Sequence, residues 1–443
     1  MLGYYFRLAI NSFRRTPGLT LLMVGAIALG ISTCIVTLTV YHAMSGNPIW
    51  WKNNVLYAVT MDAWDPSPAD PYYSDHPERA PAQLSYRDAM YLYQSPIPGR
   101  KVIMTVLFGM LSGAPGESVP MQAQTQATTH DFFSMFDVPF EYGGSWDAAA
   151  DNGPAPVIVL SKKTNDRLFG GADSVGQTVL WNGHRFRIVG VLDDWRPLPR
   201  FYDMTTSAWN DPQPVYVPFQ WGPMLQAMPA GNSSCWGAKP VKTYQEFIGS
   251  ECIWIEMWAE LPTAQARARM QAYMNSYWAS QHRAGRFMRP INNHLTKVSD
   301  WLRINGVVSS DSRILLRLAF AFLTVCLINT IGILLAKFLR AAPTAGLRRA
   351  LGASRKQIFL QHLAEVATLS VAGATLGLAL GAAGLTAVHA LYASGGAYGE
   401  LAHFDPLGIV WALALAAIST LAAGLYPAWT VGRLPPSLYL KSR

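Results

Sequence analysis

The stretch Gly346–Glu365, GLRRALGASRKQIFLQHLAE, decides how this chain is organised. It places Arg348, Arg349, Arg355 and Lys356 in one short segment. The apolar tract 366–393 follows directly and contains no Asp, Glu, Lys or Arg. A tract of this length is sufficient to cross a hydrocarbon core of ~30 Å. The stretch therefore indicates either the ordinary basic flank of a membrane-spanning helix or, more specifically, a docking helix for a cytoplasmic partner.

Three further apolar tracts, 19–44, 318–336 and 407–426, are equally free of charged residues. The first is too long for a signal peptide, and no small-residue cleavage site follows it. Of the 443 residues, 51% are hydrophobic and only 14% are charged. The sequence thus predicts an α-helical membrane protein with four transmembrane helices and a large α+β extracytoplasmic domain inserted between helices 1 and 2. The predicted segments are a cytoplasmic amphipathic helix (1–18), TM1 (19–44), the inserted domain (45–312), TM2 (313–337), a cytoplasmic coupling segment (338–365), TM3 (366–393), a short outer loop (394–406), TM4 (407–430) and a cytoplasmic tail (431–443).

The distribution of basic residues predicts the orientation. Basic residues flank the first span, follow the second and occur in the tail, whereas loop 394–406 has only Glu400 and Asp405. Both termini and the basic segment are therefore expected in the cytoplasm, and the insert outside the inner membrane. The net charge of +8 is a membrane signature and does not indicate nucleic-acid binding, because the basic residues are juxtamembrane and the insert is slightly acidic.

Within the insert, local patterns predict two subdomains. Strand-like and helix-like runs at its two ends suggest a mixed α/β subdomain from 45–115 and 253–312, with IWIEMWAEL (253–261) alternating like a strand. The middle, 116–252, is interpreted as β-rich, and Asn182-Gly183 between two strand-like runs is typical of a type I′ hairpin. The Pro- and Gly-rich region 196–250 is interpreted as irregular.

Two of the four cysteines, Cys235 and Cys252, lie in the insert. An oxidising compartment would permit a disulfide between them. In the third span, Gly373, Gly377 and Gly381 form two G-x-x-x-G registers. Such registers permit close helix packing, either within the subunit or across a dimer.

The opening stretch also has local signals of its own. Leu347, Leu351, Ile358 and Phe359 recur on one helical face, and Gly352-Ala353 interrupts the run. Ser354 begins an S-x-x-Q capping box. We therefore expect two short helices that meet at a corner. Residues 2–16 carry an apolar stripe with arginines largely off it, which is typical of a helix lying on the inner leaflet.

The stretch Gly346–Glu365 and several other segments of the sequence resemble the FtsX/MacB-type ABC transporter permeases. That family carries a G-x-R-x-A-x-G-A run before its third transmembrane helix, with an acidic residue farther on. The matching positions are Gly346, Arg348, Ala350, Gly352, Ala353 and Glu365. The tail GLYPAWTVGRLPPSLYL is similar to the family's ending, NSFRRTPGLTLL to its entry into the first helix, and VIVLSKKTNDRLFGGADSVGQTVLWNGHRFRIVGVL to the external domain of the MacB subgroup.

The resemblance implies a non-catalytic permease subunit that binds no cofactor itself. No G-x-x-x-x-G-K-[ST] run occurs in the 443 residues, so ATP and Mg²⁺ are expected on a separate ABC ATPase subunit. The resemblance also implies a homo- or heterodimer of permeases that transmits ATP-driven motion to the external domain. The expected ATPase-coupling residues are Arg348, Arg349, Gly352, Arg355 and Glu365, since arginines can form bidentate pairs with carboxylates of a partner.

Several functions fit this layout. The leading hypothesis is a MacB-like exporter of a periplasmic substrate that works with a periplasmic adaptor and an outer-membrane channel. The alternatives are a LolC/LolE-like lipoprotein-extracting permease, an FtsX-like regulator of cell-wall hydrolases, and a membrane-anchored sensor without an ATPase. Thr344-Ala345-Gly346 replaces the family's frequent E-I-G, and Pro435 and Tyr439 also depart from its tail. These departures suggest one specialised half of a heterodimer.

Overall fold

The computed structural model describes residues 2–64, 79–113, 120–236, 241–308 and 310–392, together with a few isolated positions between 414 and 430. The chain forms two units. The first joins Met1–Ser45 to Val308–Arg443, and the second is Gly46–Val307. Loop 394–406 and the tail 431–443 lie outside the described residues, as does nearly all of the expected fourth span.

The secondary structure, taken along the described residues, consists of twelve α-helices and eleven strands. The helices are α1 (Leu2–Arg15), α2 (Pro17–Ser45), α3 (Tyr86–Tyr93), α4 (Asp131–Met135), α5 (Ala148–Asn152), α6 (Lys162–Phe169), α7 (Trp221–Met224), α8 (Tyr244–Gly249), α9 (Ala264–Arg283), α10 (Val298–Ile304), α11 (Ser310–Ala350) and α12 (Arg355–Tyr392). The strands are β1 (Leu56–Thr60), β2 (Leu84–Ser85), β3 (Arg100–Ser112), β4 (Met121–Thr128), β5 (Phe140–Gly143), β6 (Val157–Leu160), β7 (Thr178–Trp181), β8 (His184–Leu192), β9 (Val215–Pro218), β10 (Ile253–Glu260) and β11 (His294–Lys297).

Three helices in the described residues are long and apolar enough to cross a membrane: Pro17–Ser45, Ser312–Thr344 and Arg355–Leu391. The prediction of short helices between the second and third spans is wrong. Helix α11 continues through Pro343 to Ala350, and α12 is already helical at Arg355. The basic stretch therefore comprises the end of one long helix and the start of the next, because nothing before the corner at 351–354 stops the first helix.

Helix α2 packs against both α11 and α12. The glycine face of α12 lies on α2: a Cβ at Gly373 would be 2.7 Å from Ile27 Cγ2, and one at Gly377 would be 3.1 Å from the Ala28 carbonyl oxygen. A Cβ at Gly381 would lie 3.3 Å from Ile35 Cγ2. The three glycines thus form a groove for a ridge of α2, and this groove is filled within the chain.

The second unit is built on one mixed sheet. Its strand order is β11-β1-β10-β3-β4-β9-β6-β8-β5, with β2 paired to β10 and β7 paired to β3 and β8. The strands from the two ends of the unit are neighbours, as in the register Trp258↔Val102 between β10 and β3. Strands β3 and β4 pair along eight positions, so the two expected subdomains share one continuous sheet.

Three local expectations for the second unit have clear outcomes. The Asn182-Gly183 hairpin is confirmed, with φ of 49° and 80° at its two turn residues. The prediction that 196–250 is irregular is wrong in part, because this region contains α7, α8 and the central strand β9. The prolines at both ends of β9 made this strand hard to recognise from the sequence. Strand β10 does not alternate: its first seven residues are buried, since helices α3 and α9 pack on one face while loop residues such as Tyr202 cover the other.

The structure joins Cys235 and Cys252 in a disulfide. Cys34 and Cys326 are free and buried.

Candidate functional site

The corner between α11 and α12 is defined by backbone hydrogen bonds. The Ala353 N–H donates to the Arg348 carbonyl at 3.0 Å, and the Gly352 N–H donates to the Arg349 carbonyl at 3.1 Å. These two bonds form a Schellman motif, which satisfies carbonyl groups that the end of a helix leaves free. Gly352 has φ +103°, a conformation that glycine adopts at no steric cost. The glycine of the family-like run is therefore the residue that ends α11.

The next helix begins at once with a reciprocal cap. The Gln357 N–H donates to Ser354 Oγ at 3.2 Å, and the Ser354 N–H donates to Gln357 Oε1 at 2.8 Å. The predicted capping box is thus confirmed. Because capping groups at both helix ends are satisfied locally, the corner needs only residues 351–354.

The corner exposes both cations and apolar side chains. Arg355 and Lys356 are exposed, and Leu351 at the tip is 80% exposed. The prediction that this stretch has a single apolar face is wrong, because Ile358 is buried whereas Leu347 and Leu351 are exposed. The corner therefore presents one large apolar side chain and two cations at its surface.

Arg348 and Arg349 differ from Arg355 in their surroundings. Both are half-buried. The Arg348 guanidinium donates to Gln361 Oε1 at 2.7 Å, a bond that ties the end of α11 to the second turn of α12. Arg348 therefore stabilises the corner from inside, whereas Arg355 is accessible to a partner.

The structure does not place Glu365 beside the corner arginines. Its side chain is buried where α1, α11 and α12 meet, and three contacts surround it. Ser12 Oγ donates to Oε1 at 2.7 Å, Lys337 Nζ lies 2.5 Å from Oε1, and His362 Nδ1 lies 3.9 Å from Oε2. A buried carboxylate requires such partners, because removing an unpaired charge from water is costly. Glu365 thus links three helices.

Aromatic rings complete this junction. Lys337 Nζ lies 4.9 Å from the centroid of the Phe13 ring, and the rings of Phe338 and His362 are 4.3 Å apart. Sequence reasoning missed Ser12, Lys337 and His362 as members of the site. Their signals were weak: Ser12 lies on the predicted stripe of α1, and Lys337 is a lone cation at the end of an apolar tract.

Helix α1 belongs to this junction. It packs on α12, and Ala9 is only 2% exposed. Phe13 packs against a cluster of buried side chains from α2, α11 and α12, namely Met23, Leu334, Phe338, Val366 and Leu369. The apolar stripe of α1 predicted a helix lying on the leaflet. At Ala9 and Phe13 this stripe is instead a helix-packing face.

The second unit contains a buried charged cluster of a different kind. Arg200 and Asp203 are 1% and 0% exposed, and their side chains lie 3.2 Å apart. Burial, together with the negative charge of Asp203, raises the pKa of Glu256 well above its ordinary value. Glu256 accepts a hydrogen bond from the Met204 N–H at 3.1 Å, so the cluster fastens the 198–213 loop to the central strand β10.

No group of His, Cys, Asp and Glu suited to a metal ion occurs in the part of the chain that the structure describes.

Comparison with known families agrees with the order of these units along the chain. Residues 20–273 match the MacB-like periplasmic core domain, and residues 317–436 match the FtsX-like permease C-terminal domain. These matches, with the apolar helices and the sheet-based unit between them, define a membrane permease component. The chain belongs to the MacB/FtsX-type family of ABC transporter permeases.

Curated relatives are distant but cover most of the chain. The macrolide export ATP-binding/permease protein MacB of Azoarcus sp. is 24% identical over 74% of this chain and 43% of its own length. The pyoverdine export ATP-binding/permease protein PvdT of Pseudomonas syringae pv. tomato is 24% identical over 78% of this chain and 47% of its own length. The chain thus spans about half the length of these relatives. The periplasmic region of MacB from Actinobacillus actinomycetemcomitans is similar over 58% of this chain and 95% of its own, with 13% identity and a TM-score of 0.36.

Proposed function

We propose that this chain is the permease subunit of an ABC transporter that couples ATP hydrolysis by a separate ATPase to motion of its external unit. The observation that carries the proposal is the exposed corner, Leu351 with Arg355 and Lys356, in a chain that matches both family domains. Transport is mechanotransmission: the ATPase moves the corner, and α11 and α12 relay that motion across the membrane.

Topology is part of the same proposal. The corner, α1 and the tail lie in the cytoplasm, Gly46–Val307 lies outside, and a fourth span crosses within 407–430. Support for this orientation comes from the basic residues on one side of the spans. A close approach at Gly424 also supports a fourth helix, because a Cβ at Gly424 would overlap the Val366 side chain of α12.

The export role is proposed by likeness to the relatives. MacB and PvdT are named for the export of macrolides and pyoverdine, respectively. We propose that this chain, as a homo- or heterodimer, exports a substrate already in the periplasm, with a periplasmic adaptor and an outer-membrane channel as further partners. ATP and Mg²⁺ bind on the ATPase, and this chain has no catalytic residue in the cycle.

The direct test is co-purification of the tagged full chain with its ATPase in mild detergent. The double variant Arg355→Glu plus Lys356→Glu reverses two exposed charges at the corner and should reduce recovered ATPase on the order of tenfold or more, since repulsion replaces attraction. The matched control, Arg269→Glu plus Arg283→Glu, makes the same change on two exposed residues of α9 in the other unit and should leave recovery unchanged.

Each outcome is informative. Equal loss in both variants would indicate a general effect of charge and would remove the corner from the interface. If the folded wild-type chain recovers no ATPase, the proposed transporter has no source of energy. That result would favour the hypothesis of a membrane-anchored sensor. A lipoprotein carrier or a cell-wall hydrolase among the recovered proteins would favour the LolC/LolE-like or the FtsX-like function over export.

A further inference from the structure

A groove of about 400 Å³ opens between α1, α11 and α12. It lies beside the Glu365 junction and is lined by residues of all three helices. Its walls come from the last turns of α1 and the start of α2, from the end of the apolar window of α11 and the turn after it, and from the first two turns of α12. The groove is thus at the level where the spans begin and end, which is the headgroup region of a bilayer.

The groove carries a strong positive charge. Four cations line it: Arg15, Lys337, Arg340 and Arg348. None of the lining residues that the structure describes is Asp or Glu. Glu365, the neighbouring carboxylate, is already held by Ser12, Lys337 and His362 and can offset only part of this charge.

One of these cations, Lys337, is largely buried. The Lys337 side chain is 9% exposed and is held between Glu365 and the Phe13 ring. An ammonium group has three donors, so a contact with one carboxylate oxygen leaves donors for a second anion. Arg15 and Arg340 are exposed at the same groove and supply guanidinium donors suited to phosphate.

The groove is also partly apolar. Leu8, Leu19 and Ile358 line it together with the cations, and Asn11 and Thr344 add neutral polar groups. Cations that surround a phosphate-sized space next to apolar side chains match an anionic phospholipid, whose headgroup is charged and whose chains are not. Basic pockets between transmembrane helices on the cytoplasmic side bind such headgroups.

We propose that this groove binds the phosphate headgroup of an anionic phospholipid of the surrounding leaflet. The lipid would tie α1 to α11 and α12 from the membrane side, as Glu365 does from within. This inference rests on the topology given under the proposed function and otherwise goes beyond that function, because it does not depend on an ATPase or a transported substrate. The docking corner uses different residues, Leu351 with Arg355 and Lys356, so the two sites can be tested separately.

The test is native mass spectrometry of the purified full chain, titrated with phosphatidylglycerol and, separately, with phosphatidylcholine. The groove variant is Arg15→Gln plus Arg340→Gln. The matched control, Arg14→Gln plus Arg317→Gln, removes two exposed cations of the same two helices that neither line the groove nor belong to the docking corner. Arg340→Gln alone serves if the groove variant fails to fold, as judged by thermal unfolding without added lipid. Soluble glycerol 3-phosphate is added as a competitor.

We expect wild type and control to bind phosphatidylglycerol with similar affinity, and the groove variant to bind it about tenfold or more weakly. Glycerol 3-phosphate should not displace the lipid. Equal weakening in groove and control variants would overturn the site, as would binding of phosphatidylcholine as tight as that of phosphatidylglycerol. Displacement by glycerol 3-phosphate at lipid-like concentrations would show a soluble-anion site and overturn the assignment to a membrane lipid. ATPase recovery, measured on the same samples, reports separately on the proposed function.

Discussion

A single carboxylate, Glu365, shows how much one residue contributes to the first unit. It lies between Ser12 of α1 and Lys337 of α11 while belonging to α12. Its family-like position suggested a role in coupling to an ATPase, and its contacts in the described structure are internal. We therefore interpret it as a positioning residue that holds three helices together.

Glu365→Gln should destabilise the full chain by about 3 kcal/mol, because it leaves the buried Lys337 ammonium without its counter-charge. Thermal unfolding in detergent measures the loss. The double variant Glu365→Gln plus Lys337→Met removes both charges and should recover much of the stability. A double variant no more stable than Glu365→Gln would argue against a charge pair as the cause.

The pKa of Glu256 gives the second unit a pH dependence of defined sign. Because burial and Asp203 raise that pKa in the folded state, the folded chain keeps a proton that the unfolded chain has lost once the pH exceeds the ordinary value. Its contribution to stability is therefore full at low pH and declines as the pH rises toward the folded-state pKa. Glu256→Gln should flatten this decline, as measured by unfolding at a series of pH values. An unchanged slope would show that another group titrates.

Among the helices, α12 packs closely against α2. This packing depends on the absence of side chains at Gly373, Gly377 and Gly381, opposite the ridge of Ile27, Ile31 and Ile35. Since this glycine face is occupied within the chain, a permease dimer must use another face. Exposed apolar residues of α11, such as Phe322 and Val325, remain available to lipid or to a second subunit.

Gly373→Leu should destabilise the chain by about 1–3 kcal/mol, because the new side chain would overlap Ile27. The matched control is Gly332→Leu on α11, where no neighbouring atom lies within 4 Å of an added Cβ. That control should be neutral or slightly stabilising, since leucine is the better helix former. Thermal unfolding of both variants tests the packing, and equal effects would count against it.

The corner motif predicts a similar contrast between two glycines. Gly352→Ala forces a side chain into a positive-φ conformation and should cost about 1–2 kcal/mol locally, loosening the corner and lowering ATPase recovery. Gly346→Ala, in the regular helix with no atom within 4 Å of an added Cβ, should not. The measurement is the same co-purification, with both variants compared with wild type. If Gly346→Ala lowers ATPase recovery as much as Gly352→Ala does, ATPase recovery does not depend on the geometry of the corner.

At the scale of the whole molecule, the proposed topology fixes which side of the membrane each unit faces. A cysteine introduced by Lys356→Cys should be protected from a membrane-impermeant maleimide in intact cells and should react after lysis. Arg269→Cys in the second unit should react in both conditions once the outer membrane is permeabilised. The opposite labelling pattern would invert the orientation.

The Cys235–Cys252 disulfide also bears on the location of the second unit, because disulfides form and persist mainly in oxidising compartments. Under denaturing, non-reducing conditions an alkylating reagent should therefore modify Cys34 and Cys326 alone, and reduction should add Cys235 and Cys252. Mass spectrometry of the alkylated chain distinguishes the two patterns. Four modified cysteines before reduction would contradict the bond.

The sequence by itself determined the features that depend on neighbouring residues. Apolar tracts marked the three spans, the Asn182-Gly183 pair marked a hairpin, and Ser354 with Gln357 marked a helix start. The family resemblance was also visible in short motifs and is shown by the two family-model matches. These signals are local because propensity, capping and hydrophobic run length act within a few residues of each other.

Only the tertiary structure decided which distant residues meet. Ser12 and Glu365 are 353 positions apart, and nothing in either segment indicates the other. Strand β9, too short and too proline-flanked to be recognised, is fixed by pairing with β4 and β6 on both sides. Likewise, the glycines of α12 were compatible with two packing partners until α2 was placed against them. The physical reason is common to all three: the deciding free energy comes from contacts across the fold, which local sequence patterns do not encode.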